Sequence, residues 1–271
     1  MEDAFLNRSK PSPGGERLGI IVSMGRGGTG KTSFVALMTK LLVERGVSPL
    51  LLVDADPDQS LGDVLGIDLE AEGKKTISEL LIEIFLEGGG TTVGVPPWDR
   101  IESVIWEKGL YEGESFDLMA IGPKWIEGCY CLPNAALKMA MERLTRPYRN
   151  VLIDSPAGLE HLNRRITSKV DIIFDIIDPS RKSLDHVKRA YRIVKEVNIE
   201  FKRFYVLGGY RFPKHLEMLV HEKTGLEYLG KIAFDKTVEE YTLIGRSLLE
   251  IPDESPAYKS VKDIVEKAGV L

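Results

Sequence analysis

The residues from Gly25 to Thr32, GRGGTGKT, have the types and the spacing that a phosphate-binding loop needs. They fit the pattern G-x-x-x-x-G-K-[ST] and directly follow the apolar run 18–22. The glycines let the backbone curl so that successive N–H groups point at phosphate oxygens, Lys31 reaches the β and γ oxygens, and the Thr32 hydroxyl is placed to ligate Mg²⁺. The pattern predicts a bound nucleoside triphosphate. Its predicted contacts are Gly27, Gly28, Thr29, Gly30, Lys31, Thr32 and Ser33.

Aspartates that follow two later apolar runs could supply the rest of the chemistry. Asp54 and Asp56 come after the run 49–53, and Asp154 comes after the run 151–153. Phosphoryl transfer to water needs a metal ion held in place and a water oriented in line with the leaving oxygen, and carboxylates can do both. We assign Asp154 to Mg²⁺ through a water, Asp56 to the attacking water and Asp54 to the outer shell of the metal. Helix capping is the competing role, above all for Asp54.

The two cysteines of the chain lie two positions apart, at Cys129 and Cys131. This spacing is too short for an easy disulfide, but on a loop both thiolates can turn toward one soft ion such as Zn²⁺, Ni²⁺ or Cu(I). Two ligands do not make a stable site, whereas a two-fold dimer supplies four sulfurs, which suits tetrahedral Zn²⁺ or square-planar Ni²⁺. Cysteines that only pack as small apolar residues are the alternative.

The elements that position these residues are indicated by short apolar runs alternating with amphipathic helical patterns. Such alternation predicts an α/β fold, a three-layer α/β/α arrangement with a mostly parallel sheet covered on both faces. Because the carboxyl ends of parallel strands share one edge, the loop and the aspartates should meet there. Helices are predicted from Phe34 to a cap at Gly46, after Asn134 and after Ser183. Strands are predicted at 49–53, 116–121, 151–153, 172–177, 203–207 and 227–233.

One segment, 67–128, departs from this rhythm. It contains a helix-like stretch at 77–85, three consecutive glycines and a possible hairpin. We interpret it as an insertion on the core, which either docks a partner or only packs on the sheet. The predicted organisation is a flexible tail at 1–17 followed by one P-loop ATPase domain at 18–271.

Composition restricts the classes of partner. The net charge of −5 and the pI near 5.6 argue against a general nucleic-acid binder, and no basic stripe is evident along the sequence. The chain contains no apolar stretch of about 18 residues, and its first residues do not resemble a signal peptide. We therefore expect a cytoplasmic protein that binds neither nucleic acid nor membrane.

The motifs taken together resemble the MinD/ParA/NifH superfamily of dimerising ATPases. The resemblance is carried by the loop with a basic residue before its Gly-Gly pair, by DADP at 54–57 and by DSPAGLE at 154–160. It implies a deviant Walker A fold and a homodimer in which the basic residue, here Arg26, crosses to the partner's phosphates. The usual residue is lysine, but arginine is always charged and binds phosphate well. Lys31, Asp56 and Arg26 are the expected catalytic residues.

A narrower resemblance, to the CooC-type ATPases, is carried by GCYC at 128–131 and DSPAGLEHL at 154–162. These are maturation factors for nickel insertion into carbon monoxide dehydrogenase. The resemblance implies an ATP-driven homodimer that holds one Ni²⁺ or Zn²⁺ ion through Cys129 and Cys131 of each subunit. The implied client is carbon monoxide dehydrogenase or the related acetyl-CoA synthase complex. ATP preference is implied by the resemblance alone, because Gly208-Gly209 stands where the family commonly has Asn-Lys.

Other ATPases would share the loop and the aspartates. A positioning ATPase of the MinD type would need a lipid-binding basic helix at its end, but the last pattern, 258–268, predicts a core-facing helix with mixed charges. A partitioning ATPase would need a basic surface for DNA. An electron-transfer ATPase would use the cysteines for a bridging iron–sulfur cluster. We interpret His161 as a helix-start residue and His186 as a surface residue.

Overall fold

The computed structural model describes residues 19–84, 97–123, 131–157 and 169–271, with only the backbone described at 97–100 and 131–136. Within these ranges one sheet has the strand order β3-β4-β2-β5-β1-β6-β7-β8. Its pairs are parallel except for the antiparallel β3–β4 hairpin. The strands are β1 (Gly19–Gly25), β2 (Leu50–Asp54), β3 (Leu110–Glu112), β4 (Asp117–Ala120), β5 (Asn150–Asp154), β6 (Lys169–Ile177), β7 (Glu200–Gly208) and β8 (Glu227–Lys231).

Helices cover both faces of the sheet, so the predicted three-layer α/β/α fold is confirmed. One apolar core lies under α1, α2 and α9, and the other lies under α3 to α7. The helices of the described ranges are α1 (Lys31–Glu44), α2 (Ser60–Leu65), α3 (Ile77–Ile82), α4 (Pro97–Lys108), α5 (Cys131–Thr145), α6 (Arg181–Glu196), α7 (Glu217–Thr224), α8 (Lys236–Ile244) and α9 (Pro256–Lys267).

The central strands form because both of their faces are buried. In β2, Leu50 and Leu52 pack into one core while Leu51 and Val53 pack into the other. Alternation of side chains between the two faces explains why the sequence is a continuous apolar run rather than an apolar/polar repeat. Each predicted strand overlaps an observed one, with ends displaced by up to three residues.

Three helices begin earlier than the sequence predicted, and the first of them is α1, which starts at Lys31 rather than Phe34. α5 starts at Cys131, so the expectation that both cysteines lie on a loop is wrong for Cys131. The early start is compatible with Pro133, because the first N–H groups of a helix have no intrahelical partner to lose. α6 starts at Arg181 because Ser180, and not Ser183, is its cap: the Ser180 hydroxyl accepts from the Ser183 backbone N–H. Cys129 lies outside the described residues.

The described parts of segment 67–128 are joined to the same core. α3 begins at Ile77 behind a capping box formed by Thr76 and Glu79, and it buries Ile77, Leu80 and Leu81. The predicted hairpin is the β3–β4 pair, and β4 hydrogen-bonds directly to β2. This segment therefore extends the sheet at one edge as well as packing on it, while the division of the chain into tail, domain and insertion stays a prediction.

The last helix, α9, packs into the core as predicted. Tyr258, Val261, Ile264 and Val265 are all buried. Among the described residues no helix combines the length and the apolarity that crossing a membrane would require.

Candidate functional site

The phosphate loop leaves the sheet at the end of β1, between β5 and β6. At Gly25 the backbone has φ 137°, and a Cβ there would lie 2.2 Å from the carbonyl oxygen of Ile176 on β6. Only glycine fits this combination of a positive φ and a close backbone approach. The loop then curls through Gly30 into α1, whose N-terminus faces the concave side where an anion is stabilised.

Lys31 is already directed into the loop. Its side chain is buried, and Nζ donates a hydrogen bond to the Arg26 carbonyl oxygen at 3.2 Å. The Thr29 hydroxyl donates to the same oxygen at 2.9 Å. The ammonium group is therefore held within the curl by a backbone carbonyl, which a phosphate oxygen can replace as its partner.

Asp154 and Thr32 form the contact expected of a magnesium site. The Thr32 hydroxyl donates to Oδ2 of Asp154 at 2.6 Å, whereas Oδ1 of Asp154 is buried and has no hydrogen-bond partner among the described residues. Burial raises the pKa of Asp154 to about 7, although the hydrogen bond from Thr32 opposes this rise. An unpaired buried carboxylate oxygen next to a hydroxyl is the oxygen-rich donor set that Mg²⁺ and its waters prefer. The residues present fit the ion.

Asp54 and Asp56 have different surroundings. Both oxygens of Asp54 accept backbone N–H groups, from Asp56 at 3.0 Å and from Leu61 at 2.8 Å. Burial raises the pKa of Asp54 to about 6. Asp56 is half-exposed, lines the cavity in front of the loop and accepts from the Asp58 backbone N–H at 3.2 Å. The contacts of Asp54 hold the turn that carries Asp56, and its outer-shell role with the metal stays a prediction.

Arg26 is bound within its own chain. Its Nη1 donates to the Asp178 carboxylate at 2.7 Å and to the Ser180 hydroxyl at 3.1 Å. The two charged side chains keep 39% and 30% of their surface exposed, so the pair is accessible to water and weak. Asp178 follows β6 and Ser180 caps α6, which places this contact on the side of the loop opposite Asp154. The crossing role of Arg26 stays a prediction.

Two adjoining cavities lie at this edge of the sheet. One, of about 600 Å³, is lined by the phosphate loop, Asp56 and Ala157. The other, of about 480 Å³, is mainly apolar and includes Ile232, Phe234 and Val238. Both cavities share the following lining residues: Gly30, Ser33, Tyr210 and Thr242. Their sizes and linings suit a triphosphate in the first and an aromatic base in the second.

Close packing against the phosphate loop explains the glycine at position 209. A Cβ at Gly209 would lie 2.5 Å from the Thr29 carbonyl oxygen, so no side chain fits between β7 and the phosphate loop. The next residue, Tyr210, lines both cavities. Its ring lies 6.5 Å from the ring of Phe234 between centroids.

Several residues of this edge were missed in the sequence. The Ser60 hydroxyl lies 3.3 Å from that of Thr32, and its only sequence signal was its place at a helix start after the aspartate turn. Asp175 on β6 is completely buried, and neither of its oxygens has a hydrogen-bond partner within the part of the chain that the structure describes. Burial raises its pKa to about 7. An aspartate inside an apolar strand was the available signal. The prediction that His186 is a surface residue is wrong: it borders the buried stripe of α6 and is half-buried, and its Nε2 is buried with no hydrogen-bond partner in the described ranges.

The cysteine pair is only partly within the described residues. Cys131 is the first residue of α5, and Cys129 and His161 fall outside. Within 19–84, 97–123, 131–157 and 169–271, no group of three or more His, Cys, Asp and Glu residues is arranged to hold a metal ion. The metal role of Cys129 and Cys131 therefore stays a prediction.

Comparisons with known proteins agree with the phosphate site. An uncharacterized ATP-binding protein of Methanocaldococcus jannaschii is 35% identical over 92% of this chain and 97% of its own length. The carbon monoxide dehydrogenase accessory protein CooC of Rhodospirillum rubrum is 24% identical over 92% of this chain and 97% of its own length.

Two solved structures have the same fold. The septum site-determining protein MinD of Pyrococcus horikoshii, complexed with Mg-ADP, aligns with a TM-score of 0.64 at 20% identity over 92% of this chain and 95% of that one. A ParA family ATPase of Chlorobium tepidum aligns with a TM-score of 0.66 at 16% identity over 92% of this chain and 98% of that one. At these identities the likeness concerns the fold.

The family assignment rests on a match to a family model. The model of the AAA_31 family, described as an AAA domain, matches residues 19–204, which span the phosphate loop, the three aspartates and the Arg26–Asp178 contact. The chain belongs to this AAA domain family and is a P-loop ATP hydrolase with the MinD/ParA-like fold.

Proposed function

We propose that this protein is an ATP-driven metal-delivery factor, a homodimer that hydrolyses ATP to support nickel insertion into carbon monoxide dehydrogenase or the related acetyl-CoA synthase complex. The observation that carries the proposal is the Cys129/Cys131 pair of the sequence, in an ATPase chain similar to CooC over 92% of its length. A thiolate pair of this kind has no purpose in ATP hydrolysis itself. It does suit a soft metal ion as cargo.

Hydrolysis in this proposal uses the side chains on the β5 side of the loop. Lys31 exchanges the Arg26 carbonyl for a β or γ phosphate oxygen, and α1 presents its N-terminal N–H groups to the same phosphates. When bound, Mg²⁺ would be held by Thr32 and, through water, by Asp154, and would supply positive charge to the β and γ oxygens. Asp56 orients the attacking water from the half-exposed turn that Asp54 holds.

Dimer closure depends on the opposite side of the loop. Arg26 must leave Asp178 and Ser180 before it can reach the phosphates of a partner subunit. A surface ion pair of this exposure contributes about 0–1 kcal/mol, so a triphosphate opposite the guanidinium can outcompete it. ATP in two facing subunits thereby favours the dimer, and loss of the γ-phosphate returns Arg26 to its own chain.

The metal cargo would lie between the two subunits. Four thiolates from two Cys129/Cys131 pairs make a complete set for Zn²⁺ or Ni²⁺, whereas one pair does not. α5 leads through a short connection into β5, whose last residue is Asp154. One continuous helix–strand unit therefore joins the cysteine pair to the proposed magnesium ligand, which provides a physical route from hydrolysis to metal release.

The nucleobase would occupy the apolar cavity next to the phosphate site. Tyr210 and Phe234 present aromatic rings there, and base stacking on such rings contributes about 1–3 kcal/mol per base. Stacking does not discriminate adenine from guanine, so ATP preference depends on backbone groups around 232–235.

A positioning or partitioning ATPase without a metal role is the second candidate. It is favoured by the MinD-like and ParA-like fold. It is disfavoured by α9, whose apolar residues are buried in the core rather than free to bind lipid.

Anaerobic sizing with metal analysis distinguishes the two candidates. The wild type and a Cys129→Ser/Cys131→Ser variant are compared with and without Ni²⁺ or Zn²⁺ and a slowly hydrolysed ATP analogue. Half an ion per chain in a dimer, lost in the variant, is expected under the proposal. Dimers formed by nucleotide alone, with no metal and no effect of the serines, would contradict the metal role and favour the second candidate. A brown protein would indicate an iron–sulfur cluster instead.

A further inference from the structure

The outer face of α6 is strongly basic, so the expectation that the chain has no basic stripe is wrong for this helix. The chain has a net charge of −5, yet α6 has only two acidic residues, Asp185 and Glu196, against six exposed cations. None of the six forms an ion pair with a described residue. They are Arg181, Lys182, Lys188, Arg189, Arg192 and Lys195.

The spacing of these cations places them together. Arg181, Lys188, Arg192 and Lys195 recur at intervals of seven, four and three residues, which is one face of a helix. The face turned to the sheet is formed by Ser183, Val187, Ala190 and Val194. A run of like charges on one helix face is unfavourable for the isolated protein unless an anionic group neutralises it.

A groove lies beside this basic face. It has a volume of about 400 Å³ and runs between α6 and the stretch from Phe212 to α7. Its rim carries Arg181, Lys188 and Lys223, with Asp185 as the acidic residue in the described lining. Met218, next to the groove, is 81% exposed. The apolar residues of its lining are Leu184, Phe212, Leu216, Leu219 and Val220.

We infer that this groove binds an acidic amphipathic helix of a partner protein. The apolar lining contacts one face of that helix, and the cations of α6, which form no ion pair with a described residue, bind its carboxylates. The apolar lining favours a protein partner over nucleic acid. Binding to a phosphate backbone depends on positive charge and makes no use of an apolar surface. α6 itself, with 16 residues, is long enough to pair with four to five turns of a docked helix.

The groove also adjoins the contact that holds Arg26. Pro179 and Ser180 line its end, and Ser180 both caps α6 and accepts a hydrogen bond from Arg26. A partner in the groove therefore contacts Ser180, the residue that accepts from Arg26. An effect of nucleotide state on partner binding rests on the crossing role of Arg26 in the proposed function. The inference does not depend on the metal role of the cysteines.

Peptide selection on the full-length protein tests this inference while the partner is still unidentified. A displayed random library of about 16-residue peptides is selected on the wild type and counter-selected on a Lys188→Glu/Arg192→Glu variant. A Lys259→Glu/Lys262→Glu variant on α9 makes the same charge change elsewhere, and ATP hydrolysis by all three proteins checks folding. We expect enriched peptides with Asp or Glu and apolar residues at helical spacing.

The enriched peptides are then measured by fluorescence anisotropy. Binding should weaken by about tenfold or more in the α6 variant and with added salt, but not in the α9 variant. Binding should also weaken in a Leu219→Asn variant. Three results would overturn the inference: no enriched peptide, peptides unaffected by the α6 changes, or a random DNA duplex, an anionic lipid vesicle or a second copy of the chain occupying the α6 face in preference to every peptide.

Discussion

The two sides of the phosphate loop differ in how their charged groups are held. On the β5 side, Asp54 is fixed by backbone N–H groups and Asp154 by the Thr32 hydroxyl, so contacts within a single chain hold these carboxylates in place. On the β6 side, Arg26 is held by an exposed ion pair, and Asp175 is buried without a hydrogen-bond partner among the residues that the structure describes. The carboxylates of the β5 side are therefore held in fixed positions, whereas the contact that holds Arg26 on the β6 side is weak enough to rearrange.

The largest effect is expected on the β5 side, at Asp56. Asp56→Asn keeps the shape of the turn but removes the charge that orients the attacking water, and we expect kcat to fall by roughly 10²–10⁴-fold with little change in nucleotide affinity. Steady-state hydrolysis and binding of a fluorescent ATP analogue check this. Asp58→Asn, in the same turn, is the control. A fall of similar size in both variants would mean that the turn, and not the carboxylate of Asp56, is needed.

Asp154 provides a test that depends on pH. Because its pKa is raised to about 7 in the ligand-free protein, a proton competes with Mg²⁺ below that pH. The affinity for Mg-ATP should therefore increase as the pH rises through about 7, and Asp154→Asn should lower the affinity and remove most of this dependence. Titration calorimetry from pH 6 to about 8 measures both effects. An unchanged pH dependence in the variant would exclude Asp154 as its origin.

Asp175 should influence stability rather than catalysis. Its folded pKa of about 7 lies above the unfolded value of about 3.9, so the folded state binds the proton more tightly, and the free energy of unfolding falls as the pH rises from about 4 to about 7. Asp175→Asn should stabilise the ligand-free protein at pH 8 by roughly 1–3 kcal/mol and flatten this dependence. Urea unfolding of both proteins at about pH 4 and at pH 8 measures the stabilisation and its pH dependence. A destabilised variant at pH 8 would mean that Asp175 has a charged partner.

The smallest effect is expected at Asp178. Asp178→Asn releases Arg26 in both subunits, so ATP-dependent dimers should form at up to about 30-fold lower protein concentration, equivalent to at most about 2 kcal/mol for the two exposed ion pairs of a dimer. Analytical ultracentrifugation with an ATP analogue measures the shift. Asp185→Asn, an exposed acid of α6, is the matched control. Weaker dimerisation in Asp178→Asn alone would show that Asp178 supports the dimer instead of competing with it.

The β5 side was predicted better from the sequence than the β6 side, for a physical reason. The loop, Asp54, Asp56 and Asp154 each follow a buried strand directly, so strand periodicity and the parallel sheet rule were enough to bring them together. The partners Arg26 and Asp178 are 152 residues apart, and nothing local in the sequence marks them as neighbours. The same applies to the groove between α6 and α7 and to the cavity at Tyr210, because both depend on how loops at the ends of different strands pack.

Mixing two inactive variants tests most directly whether the two sides act across a dimer. In a heterodimer of Arg26→Ala with Asp56→Asn, the Arg26→Ala subunit keeps its own Asp56 and receives Arg26 from the other subunit, so one complete site is restored. Equal amounts of the two proteins should regain about a quarter of wild-type ATP hydrolysis, because random pairing gives half heterodimers with one active site of two. Activity that stays at the level of the separate variants, with heterodimers present by mass, would contradict the crossing role of Arg26.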